Sequence, residues 1–291
     1  MTTEVCGRWI DVWRRWVLAG CVLACLASAT RAQDEVPFIT TPDHVTLAML
    51  QLAGVTAQDY VLDLGSGDGR IVITAARRFG ARGLGVEIVP DLVQKSRDHA
   101  RRAGVAERAE FREQDLFATD LHAASVITMY LLPEVNLQLR PALLALAPGT
   151  RIVSHDWDLG DWKPERSLTL EVPDKAVGRD KRSTVHLWVV PAQVQGLWCA
   201  AGATLELTQR FQTFSATLRQ RTGGSAAPVS VFDGKVSATT LRNGTGDLPS
   251  GAQLQLQTQL QGRSLLLSQA AGAAAQFNGQ RFEAASGGRC P

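Results

Sequence analysis

The sequence predicts an α/β domain built on an open, mostly parallel sheet, followed by a small all-β domain. Three observations carry this reading. Between Tyr60 and Val190, short apolar runs alternate with amphipathic helical stretches, as repeated β–α units do. The first run enters a glycine turn, Gly65-Ser66-Gly67-Asp68-Gly69, that opens a helix. Beyond Pro191 the helical period disappears and short alternating segments take over.

The elements follow in order. Thr41-Pro42-Asp43 starts a helix: Thr41 is expected to cap, Pro42 suits the first position and Asp43 the positive helix end. Its apolar face is Val45, Leu47, Met49, Leu50 and Leu52, and Gly54 ends it. Tyr60–Leu64, Gly83–Ile88, Ala109–Asp115, Ala124–Leu131 and Arg151–His155 read as strands. Arg70–Phe79, Asp91–Ala103 and Val135–Ala147 read as the helices between them, and Ser167–Val172 with Thr184–Val190 as a closing antiparallel pair. In the last hundred residues, Leu205, Leu207 and then Phe211 alternate with polar residues, and Phe277-Asn278-Gly279-Gln280-Arg281-Phe282 has the form of a hairpin. Gly196–Pro291 is therefore expected to be a small antiparallel barrel or sandwich, with Ala270–Ala275 as a loose loop.

Residues 1–32 read as a secretory signal peptide. Arg14 and Arg15 precede an apolar run, Trp16–Ala27, and small residues follow. The run is shorter than the roughly 20 residues that span a bilayer. Leu18-Ala19-Gly20-Cys21 has the form of a lipoprotein cleavage box, so an uncleaved or lipidated N-terminus would leave the protein at a membrane. The expected location is periplasmic or in the cell envelope. The domain boundaries then fall at 33–192 and 195–291. Of the five cysteines, only Cys199 and Cys290 lie outside the removable segment, and an oxidising compartment favours a bridge between them. No CxxC or HxxxH spacing suggests a metal. A formal charge of +2 without a concentrated basic face gives no footprint for nucleic acid.

The chemistry concentrates where strands end. In an open α/β sheet, ligands bind at the carboxyl ends of the strands. Glycines in the 65–69 turn let a ligand approach the backbone, and the helix start adds amide donors. The spacing is GxGxG, not the GxGxxG of nicotinamide enzymes, and no Gly-Lys-Ser/Thr follows as in a P-loop. Glu87 ends the second strand, where an acid accepts ribose hydroxyls. Asp115 ends the third, placed to accept from an adenine amino group, with Leu116 or Phe117 against the ring.

Val61 to Gly69 resembles motif I of the class I S-adenosylmethionine-dependent methyltransferases, with Asp63 as its acidic residue. The resemblance covers about Thr41 to Pro191. It implies a Rossmann-like seven-stranded methyltransferase sheet and S-adenosylmethionine as cofactor, bound by Asp63, Gly65, Ser66, Gly67, Asp68, Gly69, Glu87, Asp115 and Leu116. Asp63 to Ile73, after a proline-containing lead-in, is similar to the mitochondrial protein-lysine methyltransferases that act on the ATP synthase c-subunit and the adenine nucleotide translocase. That likeness implies a protein lysine as acceptor. The all-β tail and the N-terminal segment lie outside it.

Catalytic candidates lie at the ends of the fourth and fifth strands. Tyr130 precedes Leu131-Leu132-Pro133-Glu134, which is not the Asn/Asp-Pro-Pro-Tyr of enzymes that methylate bases or glutamine. Asp156 follows His155 and begins a group of acids and tryptophans (Asp156, Trp157, Asp158, Asp161, Trp162) suited to holding a cationic amine by charge and cation–π contact. The acceptor is thus a protein or small-molecule amine. A non-catalytic cofactor-binding module of the envelope and a small-molecule methyltransferase remain open readings. Without a GxSxG elbow, hydrolase chemistry has no nucleophile here.

Overall fold

The computed structural model describes residues 39–176, 180–222, 225–243, 253–259 and 262–290. The proposed signal segment therefore lies outside the described residues, as do Gly244 and Thr245 of a glycosylation-like Asn243-Gly244-Thr245 sequence. The first part is a seven-stranded sheet. Its elements are α1 (Asp43–Leu52), β1 (Tyr60–Leu64), α2 (Arg70–Phe79), β2 (Arg82–Glu87), α3 (Pro90–Arg102), β3 (Ala109–Glu113), β4 (Val126–Met129), α4 (Pro133–Leu144), β5 (Arg151–His155), β6 (Arg166–Glu171) and β7 (Arg182–Val189). The strand order is β3-β2-β1-β4-β5-β7-β6, parallel except for β7.

Both faces are covered, which is why the strands read as nearly continuous apolar runs. Leu62, Leu64, Ile127, Met129 and Ile152 pack with Leu139 and Leu143 of α4 and with Trp162 and Trp188. Val61, Val126, Val153 and Val185 pack with Val45 and Met49 of α1 and Ile71 and Ala75 of α2. The strand order changes side at β1: the chain first adds β2 and β3 on one side, then β4 and β5 on the other. The glycine turn after β1 sits at that switch point, the place where open α/β sheets bind ligands.

The helix starts differ from the sequence expectation at one functional point. Pro42 occupies the N-cap position of α1 with no side-chain cap. The Thr41 hydroxyl instead lies 3.2 Å from His155 Nδ1, across the sheet edge. A proline cap leaves Thr41 outside the helix, free to reach a tertiary partner.

The second part is a closed barrel of eight strands: β8 (Gly196–Ala200), β9 (Ala203–Arg210), β10 (Thr213–Thr222), β11 (Ser225–Ser237), β12 (Thr240–Asn243), β13 (Gln253–Gln259), β14 (Gly262–Ser268) and β15 (Arg281–Ala284). Closure removes the exposed edges that short strands would otherwise offer. The interior is filled by Trp198, Leu205, Leu207, Phe214, Leu218, Phe232, Leu265 and Phe282, so it is a core and not a lumen. Two local expectations are corrected. Residues 272–277 form a 3₁₀ helix with Ala274 and Phe277 buried, not a loose loop. Asn278-Gly279 does not make a two-residue hairpin: the Asn278 side chain accepts from Ala270 N at 2.8 Å and donates to Ala270 O at 2.9 Å, closing that helical connection.

The barrel grips the sheet domain through a two-residue turn, Phe211-Gln212, between β9 and β10. Phe211 points away from the barrel core. Its ring stacks on Trp162 at 6.2 Å and 15°, and the guanidiniums of Arg140 and Arg210 lie 5.7 and 5.9 Å from its centroid. Both arginines pair with Asp161, and Gln212 Nε2 donates to Lys163 O at 2.6 Å. Phe211 has φ +52°, a conformation that disfavours a side chain, so the stacking must offset about 1–2 kcal/mol of backbone cost. Phe211→Ala is expected to lower stability by about 2 kcal/mol and to separate barrel and sheet melting into two transitions. Differential scanning calorimetry reads this directly, and a single unshifted transition would contradict it.

Candidate active site

The turn after β1 is shaped for close approach. Gly65, Gly67 and Gly69 have φ of +73°, +54° and +82°. A Cβ on Gly69 would lie 2.7 Å from Phe111 Cζ, so β3 and the turn leave no space for a side chain. The Gly65 and Ser66 amides donate to Val86 O at 3.0 and 2.9 Å, pinning the turn to β2. The Ser66 hydroxyl is buried without a hydrogen-bond partner. Asp68 turns its carboxylate to Arg70, whose Nε and Nη2 lie 2.9 and 2.7 Å away. Burial opposes ionisation of Asp68, but the Arg70 hydrogen bonds and charge outweigh it and hold the carboxyl below its ordinary range. Arg70 also donates to Thr41 O at 2.8 Å, tying the lead-in to the turn.

Three further acids were singled out, and they play three different parts. Glu87 ends β2. Its Oε2 accepts the Gly67 amide at 3.0 Å, and Oε1 accepts those of Ile88 and Val89 at 2.8 and 3.1 Å. Asp115 is exposed at the end of β3 and caps a 3₁₀ turn, with Oδ1 accepting from Phe117 N at 2.8 Å. Leu116 packs into the sheet core, whereas Phe117 is 52% exposed and Ile88, after Glu87, is 58% exposed. Phe117 rather than Leu116 is therefore available to a ring, and Ile88 is a partner that sequence reasoning passed over. Its only signal was an apolar residue directly after the acid that ends β2.

Asp63 is buried on the Val61 face of β1 and accepts from Thr128 Oγ1 at 2.7 Å. Burial pushes its pKa up to about 7; the Thr128 bond opposes this, and nearby Glu87 and Asp68 reinforce it. Asp63 thus acts from beneath the turn. Because the native value lies above the ordinary 3.8, folding takes up a proton between the two. The stability from protonated Asp63 is complete below pH ~4 and lost as pH rises through about 7. Asp63→Asn keeps an acceptor for Thr128 and should remove that slope. Urea unfolding at pH 5 and pH 8 should show wild type losing ground to the variant as pH rises; parallel changes would contradict the assignment.

The ends of β4 and β5 make the other half of the edge. Burial raises the pKa of the Tyr130 hydroxyl, and the neighbouring Asp156 charge adds to it. Asp156 has φ +63°. Its N–H donates to Thr184 O at 2.7 Å, and its Oδ1 accepts Thr184 N–H at 3.0 Å. A non-glycine residue held this way costs about 1–3 kcal/mol and persists where its surroundings fix it. His155 is buried against the Tyr130 ring, 4.0 Å between centroids. Burial pushes its imidazole down to about 4, with Asp156 opposing and Lys175 adding to the shift, so His155 is neutral packing rather than a base.

The acid and tryptophan group separates in space. Trp162 is fully buried, Asp161 is held by Arg140 and Arg210, and of the two tryptophans only Trp157 is exposed, at 45%. An aromatic cage around an amine does not form, because Trp162 serves the interface with Phe211 instead. The sheet brings Tyr130 and Asp156 together with the glycine turn through β4, whose Met129 pairs with Leu64.

Comparison with known proteins decides what this edge belongs to. A family model described as the ANTKMT methyltransferase domain matches residues 63–166. The protein-lysine N-methyltransferase of Saccharolobus islandicus is 38% identical over 158 residues, 54% of this chain and 94% of that protein. The chain belongs to this methyltransferase family. The adenine nucleotide translocase lysine N-methyltransferase of Mus musculus is 40% identical over 106 residues, 36% of this chain and 46% of the mouse protein. The chain spans less than half the length of that mouse relative. A crystal structure of an RNA methyltransferase from Salinibacter ruber with S-adenosyl-L-homocysteine shares 50% identity, covers 54% of this chain and 96% of that chain, and has a TM-score of 0.49.

The methyltransferase uses S-adenosylmethionine, and the residues present fit it. Glu87 and Asp115 would offer carboxylates to the ribose hydroxyls and adenine amino group, Ile88 and Phe117 would offer apolar surface to the base, and Gly65–Gly69 would offer backbone to the methionine part. The cofactor supplies an already activated methyl group. What remains for the protein is to position the acceptor and shape the field around it.

Proposed function

We propose that the methyltransferase modifies the ε-amine of a protein lysine, outside the cytoplasm. The observation that carries the acceptor class is the Asp156 carboxylate, held by the Thr184 backbone at the sheet edge that carries the glycine turn. A carboxylate fixed by backbone bonds takes an N–H of the incoming amine, and the tyrosine oxygen takes another. The amine must lose one proton to solvent before its lone pair is available, and these acceptors orient it as it does so. The relatives named for lysine methylation support the same class. Export is supported by the Cys199–Cys290 disulfide, since such bridges persist in oxidising compartments.

The acceptor is tested with labelled S-adenosylmethionine and an envelope protein extract. Incorporation is expected to fall to background once extract lysines are acetylated beforehand. Label that survives acetylation, or that sits in nucleic acid, contradicts the proposal. Export is tested by an alkaline phosphatase fusion after residue 40, which is expected to be active; an inactive but stable fusion places the domain inside.

A further inference from the structure

The acceptor edge already holds an ammonium of the chain's own. Lys175 lies in the turn between β6 and β7. β6 runs parallel to β5, so this turn stands at the same sheet edge as the glycine turn. Lys175 Nζ is 2.7 Å from Asp156 Oδ2 and 2.6 Å from Arg182 O, with its side chain only 16% exposed. Tyr130 neighbours the same carboxylate, whose charge adds to the effect of burial in raising the pKa of its hydroxyl.

Two features set this pair apart from a structural ion pair. Among the described residues, Asp59, Asp68, Asp98, Asp161 and Asp180 all pair with arginine, and Lys163–Asp158 is a loose 4.0 Å contact on the surface. Lysines number five among the thirty lysines and arginines, so a lysine here is against the habit of the chain. Arginine's planar fork is the better clamp; lysine is a point charge on a flexible stem that can leave. Second, Asp156 does not need Lys175 to hold its place, because Oδ1 and its own N–H are both fixed by the Thr184 backbone.

We infer that Asp156 Oδ2 and the Arg182 carbonyl, beside Tyr130, form the subsite for the acceptor's ε-ammonium, and that Lys175 occupies it until an acceptor lysine displaces it. This rests on the proposed lysine acceptor. Lys175 is then an internal competitor that excludes weakly held amines. An acceptor must bring contacts beyond its ammonium, which makes the segment around its lysine part of the recognition.

The test uses n-butylammonium, a lysine side chain without a backbone, titrated into the full chain loaded with S-adenosylhomocysteine and followed by NMR line broadening. Removing the competitor should reveal the intrinsic affinity, so Lys175→Met is expected to bind the probe about tenfold more tightly than wild type. Lys175→Arg, which keeps a cation in the subsite, is expected to match wild type, and Asp156→Asn added to Lys175→Met to abolish the gain. Lys175→Met binding no tighter than wild type overturns the inference. So does loss of S-adenosylhomocysteine affinity in both Lys175→Met and Lys175→Gln, which would make Lys175 a structural brace. The readout is binding without turnover, so it is separate from failure of the lysine-labelling assay.

Discussion

Glu87→Ala is expected to weaken S-adenosylmethionine binding about 100-fold, a loss near 3 kcal/mol and of the size of one strong hydrogen bond to a charged acceptor. The argument has two parts. A carboxylate offers about four lone-pair positions, and three are engaged by the Gly67, Ile88 and Val89 amides. A ribose hydroxyl would therefore meet a carboxylate whose orientation is set in advance, with little ordering cost remaining. Alanine removes the ribose acceptor and also releases the Gly67 amide, so the turn loses its tie to the end of β2. Glu87→Gln, which keeps an oxygen for the amides, should lose less. Calorimetric titration reads both variants; a change below threefold in Glu87→Ala would show that the ribose lies elsewhere.

Breaking the Cys199–Cys290 disulfide is expected to cost the barrel about 4–5 kcal/mol, the loop-closure value for a bridge spanning 91 residues. The location explains why the barrel depends on it. β15 meets β8 through only two residue pairs, Glu283 with Cys199 and Ala284 with Trp198, and this short seam is where the barrel closes. Cys199 is in the seam and Cys290 follows it, so the bridge holds together the weakest ladder of the barrel. In a domain of this size the melting temperature should drop by about 20 °C on reduction or in Cys199→Ser/Cys290→Ser. S-adenosylmethionine affinity should be retained, because the seam is built from barrel strands alone. Thermal melts with and without reductant check the shift, and a barrel transition indifferent to reductant would contradict it.

What the sequence disclosed followed from how local each signal was. Strands β1 and β5 and helix α2 have the bounds expected, because a buried parallel strand and a helix after a glycine turn carry their own periodicity. The glycine turn, Glu87 and Asp115 were legible because each sits at a strand end whose position the alternation already fixed. The fate of a side chain at that edge was not. Thr41 looked like a cap but reaches His155, since Pro42 already fills the N-cap position and nothing local says so. Trp162 and Asp161 looked like a cage but are claimed by Phe211 and Arg210 from fifty residues away. Phe211 read as one more barrel position, although its turn has no asparagine or glycine to announce a left-handed backbone. Lys175 carried no signal at all, because its meaning lies in the distance to Asp156.

The most direct measurement is the chemical identity of the methylated product. Envelope protein is incubated with the full chain and labelled S-adenosylmethionine, hydrolysed in acid, and the amino acids are separated. The account expects the label in ε-N-methyllysines, and in none when Asp156→Asn, which still binds cofactor, replaces wild type. Label recovered in methylarginine, methylhistidine or volatile methanol from carboxyl esters, or undiminished lysine labelling by the Asp156→Asn protein, would contradict it.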